Sequence, residues 1–217
     1  MKNKFLILFL SISFVGFSQK KVIKKFQTTA NEIEISTIGL DDFVLENADS
    51  NSIEIFLYAE NSNKQHITFE ERQHLAEIKF GIPMFKTEET VFRKFITKRL
   101  QRASAIVKIP KGKRVIVFGD NINIESKNYQ GSLAIFIEKG NVKLNTIQET
   151  TQVNLYSGNV YASLKNINVD VVSTIGKIKI DSILKEKIYK KKDDTFKNTF
   201  TVHTIKATII LTSLKKQ

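Results

Sequence analysis

Residues 133–150 read LAIFIEKGNVKLNTIQET, residues 151–168 read TQVNLYSGNVYASLKNIN, and residues 169–180 read VDVVSTIGKIKI. Set under one another at an interval of 18, the three lines bring Gly140, Gly158 and Gly176 into register. A short alternating segment follows each glycine: Asn141, Val142, Lys143, Leu144; Asn159, Val160, Tyr161, Ala162; Lys177, Ile178, Lys179, Ile180. Ahead of the glycines, Ile135, Val153 and Val171 share one phase, and Ile137, Leu155 and Ser173 share another. Gly119 opens an earlier copy running to Ile124, provided that one unit is longer. Across residues 114–184 apolar and polar side chains alternate with a period of two, and helical periodicity is absent.

These observations predict an all-β chain built as a solenoid-like, β-helix-like stack of short strands. A glycine at one phase of each unit marks a bend that needs positive φ or close backbone approach. The flanking strands then turn alternate side chains into a common interior. Stacked units bury a continuous apolar column that no unit could bury alone. Each fully buried Val, Leu or Ile adds roughly 1.5–3 kcal/mol by transfer bookkeeping, an upper bound. The rival architecture is an antiparallel sandwich with evenly spaced hairpins. A left-handed hexapeptide helix is excluded by the missing sixfold apolar spacing.

Outside the repeat, Ile33 and Ile35 predict one strand and Phe43 and Leu45 another. Ile53, Ile55, Leu57 and Ala59 alternate with Glu54, Phe56 and Tyr58, a half-buried strand, and Ala105, Val107 and Ile109 repeat the pattern up to Pro110. Residues 200–214 are rich in Thr, Ile and Val and read as closing strands. The terminal Lys215 and Lys216 are charges that discourage further strand addition at an edge. Two stretches break the pattern. In an insert over 86–102, Val91, Phe92, Phe95, Ile96 and Leu100 recur at helical spacing after Thr87, which predicts a short amphipathic helix over 87–102. Residues 185–197, with Lys190, Lys191 and Lys192 before Asp193 and Asp194, read as an exposed loop between the last unit and the closing strands.

The N-terminus carries Lys2 and Lys4, an apolar run from Phe5, and small residues Gly16 and Ser18. This is the layout of a secretory signal peptide over 1–18, with cleavage before Gln19. Residues 5–17 fall short of the ~20 apolar residues that cross a bilayer. The expected mature chain, 19–217, reads as one domain with no later segment of spanning length. Its formal charge is +10, since the whole chain carries +12 and the leader contributes Lys2 and Lys4 with no acid. With no cysteine, neither disulfides nor cysteine acylation can contribute.

Catalytic signatures are missing. His66, His74 and His203 show no metal-ligand spacing and read as surface or edge-strand residues. There is no G-x-S-x-G elbow, and neither phosphate-loop pattern occurs. Asp41 with Asp42, and Glu70 with Glu71, are sequence neighbours, so on a strand they point to opposite faces. No cofactor and no metal site is expected. The remaining signal is positive charge: Arg93, Lys94, Lys98, Arg99 and Arg102 on the predicted helix, with Lys111, Lys113 and Arg114 beside the Pro110 turn. Together they predict a surface for anionic polymers. For an exported protein these are envelope polymers rather than a specific nucleic acid.

The segment 106–110 ending in Ile-Pro, the units opening at Gly119, Gly140, Gly158 and Gly176, and the closing 204–212 resemble a family of β-strand-repeat proteins common in Bacteroidetes, labelled auto-transporter adhesin head domains and of unknown function. The resemblance implies a right-handed stack of strands, an envelope or surface location and no catalytic residues. The basic insert and Ser173 in the inward phase depart from its pattern. The function expected is that of an exported, non-enzymatic, adhesin-like binding or structural module in the periplasm or at the cell surface. The alternative is a periplasmic accessory or regulatory partner of a membrane system, docking on a membrane-associated protein or on the membrane through residues 87–102.

Overall fold

Alternation of apolar and polar side chains becomes strand throughout the computed structural model, which describes residues 20–59, 63–82 and 103–214. In chain order the strands are β1 (Lys20–Gln27), β2 (Glu32–Ser36), β3 (Asp42–Asn47), β4 (Ser52–Ala59), β5 (Ile67–Arg72), β6 (Leu75–Phe80), β7 (Ser104–Ile109), β8 (Arg114–Asn121) and β9 (Asn123–Lys127). There follow β10 (Leu133–Ile147), β11 (Thr151–Leu164), β12 (Asn168–Ser173), β13 (Ile178–Ile180), β14 (Ile183–Lys185), β15 (Ile188–Lys191), β16 (Thr199–Thr204) and β17 (Thr208–Ser213). Among the described residues the chain is all-β apart from a 3-10 turn at Lys64–His66. The signal peptide and the helix expected over 87–102, with Arg93, Lys94, Lys98, Arg99 and Arg102, lie outside the described residues.

The strands pair in two ladders. The first runs β5-β6-β2-β8-β10-β11-β16-β12-β15, and the second β1-β4-β7-β3-β9-β10-β11-β17-β13-β14. β10 and β11 belong to both. Pairing is parallel from β6 to β12 in the first ladder and from β7 to β13 in the second. At the ends β5, β15, β1, β4 and β14 attach antiparallel. The interval of 18 read in the sequence is the register from β8 through β10 to β11: Ile135 pairs with Val117 on one side and Val153 on the other. One inward column, Ile78, Ile35, Val117, Ile135, Val153, Val202, Val171, crosses the first ladder with every member 0% exposed. The second ladder has its counterpart in Phe43, Ile124, Val142, Val160, Ile209 and Ile178. β-Branched side chains suit such columns because their restricted rotamers pack on a pleated surface at little entropic cost.

Spatial order departs from chain order at both ends. Residues 199–213 do not close the stack. β16 and β17 slot between β11 on one side and β12 and β13 on the other. Likewise β2 and β3 lie inside, between β6 and β7 and the pair β8 and β9. The 169–180 unit therefore shares a column with 151–162 without touching it, because Val202 separates Val153 from Val171. Residues 185–197, expected as a loop, contribute β15 and the end of β14. The parallel units thus end on antiparallel strands, several of them lysine-bearing, which blunts the open edges.

Gly140 and Gly158 run through the bend inside continuous strands, at φ +141° and +135°. A Cβ on Gly140 would stand 1.8 Å from the Ile122 carbonyl oxygen. By register the column is Ile122, Gly140, Gly158, Ala207, Gly176. Where Ile122 and Ala207 occupy it, the strand breaks into two pieces, β8 and β9 or β16 and β17, and it breaks likewise between β12 and β13 at Gly176, whose φ is not positive. An L residue does not adopt the positive φ that lets β10 and β11 pass unbroken. Gly119 lies outside this column, three positions ahead of Ile122. It pairs with Ile137 and leaves room for the Thr37 side chain, whose Oγ1 would lie 2.2 Å from a Cβ there.

Polar inward residues are satisfied at both ends of the core. Ser173 is 0% exposed and donates its hydroxyl to the Ala207 carbonyl at 2.7 Å. Thr37 does the same to the Phe118 carbonyl at 2.8 Å. Beside the bend an amide ladder crosses the units. Asn159 Nδ2 donates to Asn141 Oδ1 at 2.8 Å, Asn141 Nδ2 to Asn123 Oδ1 at 3.0 Å, and Asn123 Nδ2 to Asp42 Oδ1 at 3.1 Å.

Candidate functional site

Outward phases of a half-buried sheet should be polar, yet β8 carries Val115, Ile116, Val117, Phe118 in succession and β10 carries five apolar residues from Leu133 to Ile137. Both faces of these strands are therefore apolar. By register the outward column is Ser36, Phe118, Phe136, Asn154, His203, Val172, Ile188. The Phe118 and Phe136 rings stack with centroids 5.5 Å apart and planes at 17°. The next outward column brings Glu138, Tyr156, Ile205 and Thr174 alongside, and the Lys206 ammonium sits 5.5 Å from the Tyr156 ring centre.

Phe136, Asn154, His203 and Val172, with Glu138, Tyr156, Ile205 and Thr174, line an open groove of about 660 Å³ that crosses the strands, and Phe118 flanks it, stacked on Phe136. Phe118, Tyr156 and Ile205 are 40–46% exposed and form an apolar strip on the outer face. Polar atoms of Asn154, Glu138, Thr174 and His203 are set among them. A groove with this lining can take a ligand whose faces are apolar and whose edges hydrogen-bond.

The basic residues named from the sequence separate. Lys111 is exposed in the turn after β7. Lys113 donates Nζ to the Ala30 carbonyl at 2.6 Å, so it ties the β8 turn to the start of β2. Arg114 is exposed, pairs with Glu32 at 3.4 Å, and stands on the outward face of β8 four residues before Phe118. His203 is exposed, but on an interior strand flanked by β11 and β12, within the groove. His66 accepts the Asn63 N–H at Nδ1. The acid pairs serve structure: Asp41 caps Ala103, Asp42 ends the amide ladder, Glu70 meets Arg72, and Glu71 accepts from Thr29. No group of three or more His, Asp or Glu gathers among the described residues.

The aromatic groove was missed by reading alternation alone. Its signal was present: Phe118, Phe136 and Asn154 recur at the interval of 18 in the outward phase.

No protein-family model matches the chain, and no curated protein matches it in sequence. Among solved structures, a "putative cell adhesion protein" from Clostridium sporogenes is similar, with a TM-score of 0.57 and 12% identity over 90% of this chain and 100% of that one. A "putative adhesin" from Parabacteroides distasonis aligns over 90% of this chain and 98% of that one, at 11% identity and a TM-score of 0.32. One from Bacteroides fragilis covers 91% and 98% at 8% identity and a TM-score of 0.29. Of these, the Clostridium sporogenes protein shares the fold of this all-β chain, and its description as a "putative cell adhesion protein" matches the kind of family that the glycine-punctuated units resemble.

Proposed function

We propose that the protein is an exported, adhesin-like, non-enzymatic binding module of the cell envelope, wound as a solenoid-like stack, which holds an anionic saccharide polymer across the aromatic groove. The observation that carries this reading is the outward apolar strip running across the strands, in which Phe118, Tyr156 and Ile205 are exposed and Phe136 is half-buried. Neighbouring strands lie about 4.8 Å apart, so the strip offers apolar contacts at a spacing suited to an extended chain of rings. The groove is open along its length, which suits a polymer better than a small molecule, because small-molecule sites bury most of their ligand. Asn154, His203 and Glu138 offer partners for hydroxyl groups. The net charge of +12, +10 without the leader, favours capture of a polyanion, and Arg114 supplies a cation on the groove face. The register of 18 from β8 and β9 through β10 to β11, with the parallel pairing on either side, supports the solenoid reading, and the layout of residues 1–18 supports export.

Affinity electrophoresis of the exported chain through acidic envelope polysaccharides tests the reading. The parent is retarded at low ionic strength. Phe118→Ala and Tyr156→Ala each weaken retardation about tenfold, as expected for loss of one stacking face. Free migration of the parent, or retardation of both variants equal to that of the parent, overturns it. N-terminal sequencing of the secreted chain should begin at Gln19.

A further inference from the structure

At the β14–β15 end of the stack the sheet terminates in a feature that the groove does not use. Ile175, Ile183, Leu184 and Ile188 are 61%, 60%, 62% and 59% exposed. No other large apolar side chain among the described residues is as exposed, and these four gather at one end. β13 and β14 form a hairpin whose two turn residues, Asp181 and Ser182, both have positive φ, +50° and +67°. That is the pattern of a two-residue turn whose twist matches its strands. The turn is held in place. Asp181 N–H donates to the Leu211 carbonyl at 2.9 Å, and Asp181 Oδ1 accepts from the Ser213 N–H at 2.7 Å. The chain therefore presents Ile183 and Leu184 immediately after a fixed corner. β15 stands beside it, with Ile188 outward next to Val172 and Tyr189 folded back onto the core.

The surroundings of these aliphatics are cationic. Residues 175–192 contain Lys177, Lys179, Lys185, Lys187, Lys190, Lys191 and Lys192, against Asp181 and Glu186. Lys187 is spent on the Ile175 and Gly176 carbonyls, Lys190 pairs with Asp170 and Lys192 with Asp194, each at 2.9 Å, and Lys185 lies over the Tyr189 ring. Leu184 lies directly across from Lys179 in the hairpin. Aliphatic side chains projecting from a rigid corner in a lysine-rich segment complement an interface that is apolar within and anionic at its surface.

We propose that this end of the stack is a membrane-docking tip, in which Ile183, Leu184 and Ile188 enter the acyl boundary of an anionic phospholipid surface while the surrounding lysines engage its headgroups. Each lysine near such a surface contributes attraction that decays within a Debye length. A second copy of the chain is disfavoured as the occupant. Edge-to-edge pairing of β14 or β15 would bring two sets of lysines together, which is how natural sheets discourage that contact.

Flotation of the full mature chain with vesicles of phosphatidylglycerol and phosphatidylethanolamine, compared with phosphatidylcholine alone, tests the proposal. The parent should float with the anionic vesicles, not with the neutral ones, and should be released by high salt. Leu184→Asp and Ile188→Asp should each lower apparent affinity about tenfold, as for one aliphatic kept out of the bilayer. Both positions are well exposed, so the fold should persist in circular dichroism. Should either variant misfold, Lys191→Glu provides the same readout from the lysine-rich segment. Phe118→Ala leaves flotation unchanged, which separates the tip from the groove. The proposal is overturned if the parent fails to float, if the tip variants float like the parent, or if the parent dimerises in solution through a contact that Leu184→Asp abolishes.

Discussion

Gly158 lies directly on Gly140, and a methyl group on Gly158 would stand 1.8 Å from the Gly140 carbonyl oxygen. The two backbones approach so closely because both strands turn the corner without breaking, each at a φ that L residues rarely adopt. Gly158→Ala therefore meets a steric and a conformational penalty at once. It should cost about 2–4 kcal/mol and lower the thermal midpoint by roughly 5–15 °C. Gly112, at φ +79° with open space around it, is the control. Gly112→Ala should cost only about 1 kcal/mol. Equal midpoints for the two variants in calorimetry would refute the close-approach argument.

Interleaving of the last unit makes a prediction about truncation. β16 and β17 pair on both sides, so removing residues 199–217 would uncover β11 together with β12 and β13. A terminal cap could be lost with local fraying. Here the truncated chain should show no cooperative thermal transition, and deleting only residues 215–217 should leave the transition intact.

Tyr129 is 7% exposed and donates its hydroxyl to the Lys113 carbonyl at 2.9 Å and, at 3.3 Å, to that of Pro110. Burial pushes its phenol well above the usual range. The folded state therefore favours the neutral ring, and the associated stability is complete below the unfolded pKa near 10 and lost as pH rises beyond it. Denaturant titrations from pH 8 to 11.5 should show falling stability at the alkaline end. Tyr129→Phe should lose about 1–2 kcal/mol at pH 8, from the missing hydrogen bond, and show a flatter alkaline limb.

Glu125 behaves in the opposite sense. The Lys143 ammonium, 3.0 Å away, holds its carboxyl below the usual range. A depressed carboxylate contributes stability above its unfolded pKa that is lost as pH falls through the folded value. The pair is partly exposed, so Lys143→Met should cost well under about 1 kcal/mol at pH 7 and shrink the stability difference between pH 6 and pH 3. An unchanged acid limb in urea titrations would count against the pairing.

The amide ladder should tolerate little change of charge. Asn141 both donates to Asn123 and accepts from Asn159. Asn141→Asp removes the donor and sets a carboxylate against the Asn123 Oδ1 acceptor, at an expected cost of about 1 kcal/mol. Asn141→Ala, which leaves only solvent-accessible amides unpaired, should cost less, and chemical denaturation of both variants gives the comparison.

The all-β class, the interval of 18 and the inward phases of Ile135, Val153 and Val171 were legible in the linear sequence. Alternation and glycine placement are local properties, written by which face each side chain must turn to water. The order of the units was not legible. Whether β16 lies beyond β12 or between β11 and β12 changes no alternation, because all three strands present the same inward valine phase: Val153, Val202 and Val171. Only the long-range pairing selects one neighbour over another. The same limit hid both surfaces of interest. Phe118 and Phe136 read as ordinary strand apolars until the registers stacked them on the outer face. Ile183 and Leu184 read as the end of the alternating stretch 114–184 until a turn anchored on β17 set them at the end of the sheet. Burial is decided by what the rest of the chain covers, and that is a property of the assembled ladders rather than of any segment within them.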